Sequence, residues 1–196
     1  MLSAFLVLHA RGDTALGQIP ASPAAENVGA TVGTTLPLPL PAGSPAAAPG
    51  GFTPGRLVIP RLAVDAAVIP VSVGADRSLG VPDNPAVLGW WRDGAWPGQP
   101  GGSVVIDGHV DSVTSGPGAL FRLQALVPGD VVMVSGPRGS VRYVVAARRQ
   151  YAKATLPTSI FDQQVGARLV LVTCGGRFDA ETRHYADNVV VFARPA

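Results

Sequence analysis

A single cysteine, Cys174, is the only thiol in this chain of 196 residues. One thiol cannot close an internal disulfide, so cysteine offers neither a staple for the fold nor a sign of an oxidising compartment, and a cysteine-rich zinc site is excluded. Histidine is almost as scarce. His9, His109 and His184 fall in no metal-ligand spacing, no HExxH or EF-hand loop is present, and no metal or other cofactor is called for. Charged residues make up only 14%, and the net charge of +2 comes with scattered arginines and no basic run, which argues against a nucleic-acid partner. A P-loop and a GxGxxG turn after a strand are both missing, and no repeat of fixed period suggests a solenoid. Long apolar runs are absent too. The N-terminal "MLSAFLVLHARGD" has an apolar run of about seven residues, against the roughly 20 that a spanning helix needs, and lacks the basic start of a signal peptide. Residues 1–19 are therefore read either as a frayed or truncated start or as the C-terminal remnant of a membrane anchor.

What is present is globular in character. Hydrophobic residues reach 47%, and the length suits one well-buried core plus a tail. Residues 20–55 are dominated by Pro, Ala, Gly, Ser and Thr. That composition cannot bury enough apolar surface to offset its ordering entropy, so the segment is read as an extended linker, polyproline-like around "LPLPLP". From Phe52 the texture changes to short β-branched runs between Gly and Pro: "RLVIPRL", "VDAAVIPVSV", "GSVVIDGHV", "DVVMVSG", "SVRYVVAARRQYA", "RLVLVTC" and "HYADNVVVFA". Their lengths and boundaries favour strands, with a hairpin at Gly-Pro-Arg-Gly in "PGDVVMVSGPRGSVRYVV". Helix candidates are short, "PGALFRLQAL" and "LPTSIFDQQ". Residues 56–196 are expected to form an all-β domain, a barrel or sandwich with helical turns in its connections.

Two strand ends share one grammar. Cys174 closes the apolar run Leu169–Thr173 and is followed by Gly175 and Gly176; His109 follows "VVIDG". A cysteine nucleophile needs a route to thiolate, an acid/base for the leaving amine and donors for the oxyanion, and glycines beside it let backbone N–H groups and substrate approach. Taken singly, Cys174 also fits a small buried hydrophobe, and His109 a hydrogen-bonded loop residue.

The pattern as a whole resembles the sortases, cysteine transpeptidases of Gram-positive surfaces. "VIDGHVDS" matches the histidine motif and "LVLVTCGG" the Leu/Val-x-Thr-Cys motif, in the family's order. "RLVIPRLAVDAAVIPV" is similar to the opening strands, and "ALFRLQALVPGDVV" to the segment between histidine and cysteine. "TCGGRFDAETRHYADNVVVFA" resembles the class F sortases specifically. The resemblance implies a closed eight-stranded β-barrel behind an N-terminal anchor, on the extracellular face of the membrane. It implies that Cys174 attacks the Thr–Gly bond of an LPXTG-like sorting signal and forms a thioacyl enzyme. An amine acceptor, on a peptidoglycan precursor or a pilin lysine, resolves that intermediate. His109 is implied as the acid/base, and Thr173 as a support for substrate or oxyanion contacts.

An arginine is the third member in sortases. In the better-known classes it begins the last strand, where this chain has Asn188. Arg183, nine residues after Cys174, is the choice here; Arg177 is the rival, and Arg194 lies at the far end of the strand. His184 is a weaker candidate for the base. Asp107 and Asp111 flank His109 and are read as loop or supporting residues, and the tryptophans of "GWWRDGAWPGQPG" as packing over the barrel. A non-catalytic cell-surface binding module with an inert Cys174 is the alternative, which thiol reactivity separates. A papain-like hydrolase is disfavoured, because there cysteine lies at a helix start ahead of histidine.

Overall fold

The computed structural model describes residues 50–75 and 78–196. These residues form β1 (Arg56–Ile59), β2 (Val64–Val71), β3 (Leu88–Trp91), β4 (Ser103–Asp107), β5 (Asp111–Ser112), β6 (Gly116–Pro117), β7 (Val131–Gly136), β8 (Gly139–Ala152), β9 (Arg168–Asp179) and β10 (His184–Pro195). Eight of them close into a barrel in the order β1-β2-β3-β4-β9-β10-β8-β7, while β5 and β6 pair separately. The all-β, eight-stranded expectation is met. So is the hairpin: β7 and β8 pair down to Gly136↔Gly139, with Pro137 and Arg138 as its turn.

Neither helix candidate becomes an α-helix. The first shortens to a 3-10 turn at Leu123–Ala125, because its buried leucines, Leu120, Leu123 and Leu126, recur every three residues. Bonds from Leu123 N–H to Leu120 O and from Leu126 N–H to Leu123 O fix that tighter winding. The second shortens to Thr158–Phe161.

Alternation along the strands builds two apolar layers. Leu169 and Leu171 of β9, Val189 and Val191 of β10, and Val104 and Ile106 of β4 fill the barrel interior. Their neighbours Val170, Val172, Val190 and Val105 join Leu79, Leu156 and Ile160 in a second cluster. The strands β4, β9 and β10 are thus buried on both faces, which is why "RLVLVTC" reads as a continuous apolar run. Each such side chain contributes about 1.5–3 kcal/mol by leaving water. Barrel packing begins inside the stretch read as linker: Phe52 is buried, its N–H donates to Pro97 O at 3.1 Å, and its ring lies against Gly136 and Gly139. Residues 1–19, and linker residues 20–49, lie outside the described residues.

Candidate active site

Strands β4 and β9 are parallel neighbours, in register from Ser103↔Arg168 to Asp107↔Val172. Both therefore reach the same mouth of the barrel, where β4 ends and β9 runs on, and Gly108–His109 lies beside Thr173–Cys174. Two hydrogen bonds fix the junction. The N–H of Gly108 donates to Val172 O at 3.2 Å, and the buried Thr173 hydroxyl donates to Gly108 O at 2.8 Å, across 65 residues of sequence. Position 108 has no room for a side chain, since a Cβ there would stand 2.5 Å from Leu88 Cδ2.

His109 is half-buried, and its Nε2 lies 2.9 Å from Pro82 O. A carbonyl can only accept, so Nε2 carries the proton, and in the neutral ring Nδ1 keeps the lone pair. The loop that follows is clasped to the β9–β10 hairpin, where the Tyr185 hydroxyl donates to Asp111 Oδ2 at 2.5 Å. That bond, with some burial, pushes the Tyr185 phenol up to about 12. Phe178 packs against Tyr185 with its ring tilted, 5.1 Å between ring centroids.

The two glycines after Cys174 have different jobs. Gly175 is buried where a Cβ would stand 2.6 Å from Val189 Cγ2. Gly176 takes φ 76 and sits at a register shift, where Gly176 and Arg177 of β9 face Ala186 alone on β10. This is a β-bulge, which twists the hairpin away from the barrel wall.

Cys174 is half-buried, and its surroundings oppose ionisation. Burial pushes the thiol up, and the Asp111 and Asp107 carboxyls push the same way. Lys153 alone acts against them, and the net direction stays upward. No motif flags Lys153, although one signal was in the sequence: it is the sole lysine beside fourteen arginines. Asp107 is 3% exposed, with neither carboxyl oxygen hydrogen bonded among the described residues, and burial holds it well above the usual carboxylate range. Asn188 lies opposite Cys174 on β10, also buried, and its amide has no partner among the described residues.

The structure does not bring the arginines to the sulfur. Arg183 is exposed in the β9–β10 turn at φ 57, and β9 continues five residues past Cys174 before that turn, about 16 Å at strand spacing. The turn is shaped by Asp179, whose Oδ1 accepts from the N–H groups of Glu181 and Thr182. His184 is exposed at the same end, opposite Asp179, and Arg177 is exposed in the bulge. Arg194, also exposed, pairs with Val144 near the opposite end of β10. The tryptophans pack as expected: Trp90 meets Trp96 edge-on at 5.0 Å, and Trp91 meets Phe161 at 5.2 Å. A cavity of about 120 Å³ beside Cys174 is lined by Val110, Phe121, Gln124 and Tyr185, room for a single side chain. A larger one of about 310 Å³, between Leu62–Ala66 and Pro117–Arg122, touches neither Cys174 nor His109. Among the described residues no cluster of His, Cys, Asp and Glu could hold a metal, and no helix is long and apolar enough to cross a membrane.

Residues 57–196 match the family model described as Sortase domain. Among solved structures, the chain is similar to sortase C-1 from Actinomyces oris, with 20% identity, 72% of each chain covered and a TM-score of 0.55. It is similar to Sortase C2 of Group B Streptococcus Pilus Island 1, with 15% identity over 72% of this chain and 73% of that one, and a TM-score of 0.57. A lid mutant of sortase A from Corynebacterium diphtheriae gives 17% identity over 72% and 68%, with a TM-score of 0.56. Among curated proteins none matches the sequence.

Proposed function

The chain belongs to the sortase family, and from that premise we propose that it is a cysteine transpeptidase that cuts an LPXTG-like sorting signal between Thr and Gly and passes the acyl part to an amine. The observation that carries this reading is the Thr173–Gly108 hydrogen bond, which locks the Cys174 and His109 segments together at one barrel mouth. The Cys174 thiolate adds to the threonyl carbonyl carbon. Collapse of the tetrahedral adduct breaks the C–N bond, and the glycyl amine leaves with a proton from the His109 imidazolium. An acceptor amine then attacks the thioester and gives its proton to the neutral imidazole, and the Cys174 thiolate departs. With Nε2–H held by Pro82, Nδ1 is the nitrogen that carries the transferred proton.

Thr173 steadies the junction, and Arg183 is proposed to bind substrate carbonyl oxygens when the β9–β10 hairpin folds over a bound peptide. The class F assignment rests on the residues from Thr173 to Ala193. The acceptor is proposed as a peptidoglycan precursor or a pilin lysine, and the site of action as the extracellular membrane face, reached through an anchor preceding the linker. Mass spectrometry of the protein mixed with an LPXTG peptide library tests the reading. A thioacyl adduct on Cys174 is expected; no adduct from any peptide, together with a thiol inert to iodoacetamide, would instead support the non-catalytic binding module.

A further inference from the structure

The cavity beside Cys174 has walls from separate parts of the chain. Cys174 and Tyr185 come from the β9–β10 hairpin, Val110 from the loop that carries His109, and Phe121 and Gln124 from the segment after β6. The loop wall is fixed along one edge by backbone. Asp111 pairs with Pro117, Gly118 N–H donates to Val110 O at 2.9 Å, and Gly118 packs so closely that a Cβ there would stand 2.3 Å from His109 O. The hairpin wall is fixed at its base, where Gln150 Nε2 donates to Asp187 Oδ2 at 2.6 Å. Past the bulge at Gly176 the hairpin bends off the barrel, and the Phe178–Tyr185 ring contact joins its two strands to each other. Tyr185 also makes the crossing between the walls. It lines the cavity, and its hydroxyl donates to Asp111 Oδ2 at 2.5 Å, across 74 residues of sequence. One end of that bond lies two residues from His109, and the other two residues from Arg183.

We propose that Tyr185 and Asp111 are positioning residues for the transfer reaction, a latch that holds the β9–β10 hairpin against the His109 loop and so fixes the spacing of thiol, imidazole and Arg183 turn. The proposal rests on reading Cys174 as the nucleophile and His109 as the acid/base. These two groups sit on different segments, and a proton passes between the imidazole and an amine at the carbon bound to sulfur, so an error of about 1 Å in their spacing is costly. A hydroxyl bonded to a carboxylate is among the stronger neutral-to-charged contacts, which suits a tether between two elements that no strand pairing joins. The phenol, pushed up to about 12 by that bond, keeps its proton and remains the donor through the neutral range. The Asp179–Arg183 turn then extends from a held point, and Arg183 swings over a bound peptide from there.

The test compares the wild type with Tyr185→Phe, Asp111→Ala, Asp111→Asn and the Tyr185→Phe/Asp111→Ala double variant. Three readouts are taken: steady-state cleavage of an LPXTG peptide, Cys174 alkylation by iodoacetamide, and backbone hydrogen exchange without substrate. Tyr185→Phe is expected to lower kcat by about 10- to 100-fold with KM changed far less. The double variant should be no slower than Asp111→Ala alone, since both changes remove one bond. Asp111→Asn keeps an oxygen for the phenol and should retain more activity than Asp111→Ala. Exchange should quicken in residues 109–112 and 177–186 together. Alkylation should stay near the wild-type rate, whereas a variant that merely unfolds would bare the thiol and speed it; Asp111→Ala carries the test if Tyr185→Phe does not fold. An unchanged kcat, losses that add in the double variant, or unaltered exchange in either segment would overturn the proposal. A wild type that cleaves no peptide would instead sink the transpeptidase reading, and exchange alone would then decide the latch, faster in both segments keeping it and unaltered removing it.

Discussion

Asp107→Asn should stabilise this protein at neutral pH, and the effect should vanish in mild acid. The carboxyl faces Gly89 so closely that a Cβ there would stand 2.5 Å from Oδ1, and neither oxygen has a partner among the described residues. Burial keeps its folded-state pKa well above 3.8. The unfolded chain ionises near the ordinary value and so binds fewer protons than the native state as pH rises. Stability from this group is therefore full below about pH 4, and declines with rising pH until the folded-state value is passed. The limiting slope for one proton is about 1.4 kcal/mol per pH unit. Asparagine keeps the shape and has no proton to lose. Both side chains bury unpaired polar atoms, so that cost largely cancels. Urea unfolding of both proteins at pH 4, 5, 6, 7 and 8 gives a difference curve in which every shared titrating group also cancels. It should start near zero or slightly favour the wild type, then rise in favour of Asp107→Asn. A difference that stays flat from pH 4 to pH 8 would show that Asp107 ionises normally in the native state, and the account of its burial would fail.

Cys174→Ala should abolish both peptide cleavage and transfer, while His109→Ala should lower turnover by about 10²–10⁴-fold; an HPLC assay showing a larger loss for His184→Ala would move the acid/base. Arg183→Ala should reduce turnover more than peptide binding, measured as kcat against KM, with Arg177→Ala mild; the reverse order would transfer the third role to Arg177. A chain beginning at residue 50 should match the full chain in thermal unfolding, whereas one beginning at 56 loses the buried Phe52 and about 3–5 kcal/mol. Equal stability of the two truncations would show that Phe52 adds nothing to the barrel. Gly176→Ala should disturb the bulge, because its φ of 76 disfavours any Cβ and Asp187 occupies the space. Unchanged activity and melting in that variant would mean that the hairpin re-registers freely.

The barrel strands were legible because β-branched runs between Gly and Pro leave few alternatives, and the shared pattern of the runs before His109 and Cys174 pointed to strands that the structure makes neighbours. The helical turns around Leu123 and Ile160 were legible as well, although whether they wind as 3-10 or as a short α-helix is decided only by their carbonyl partners. Arg183 looked close to Cys174 when counted in residues, but a hairpin turns those nine residues into a journey out along β9. The placement of β10 between β8 and β9 was not legible, because no local pattern encodes strand order.

That placement of β10 also bears on how the barrel comes into being. The last strand in the chain is not an edge strand closing a finished sheet. It is inserted between two earlier ones, making nine cross-strand pairs with each neighbour. Until it arrives, β8 and β9 face each other across an empty slot, with open backbone edges on both sides. Such non-local pairing is slow to form, and a partly built barrel exposes edges that invite wrong partners. Cys174 therefore gains its cross-strand neighbour Asn188 only after the final strand docks, so a nascent or half-folded chain carries its cysteine on an unfinished edge.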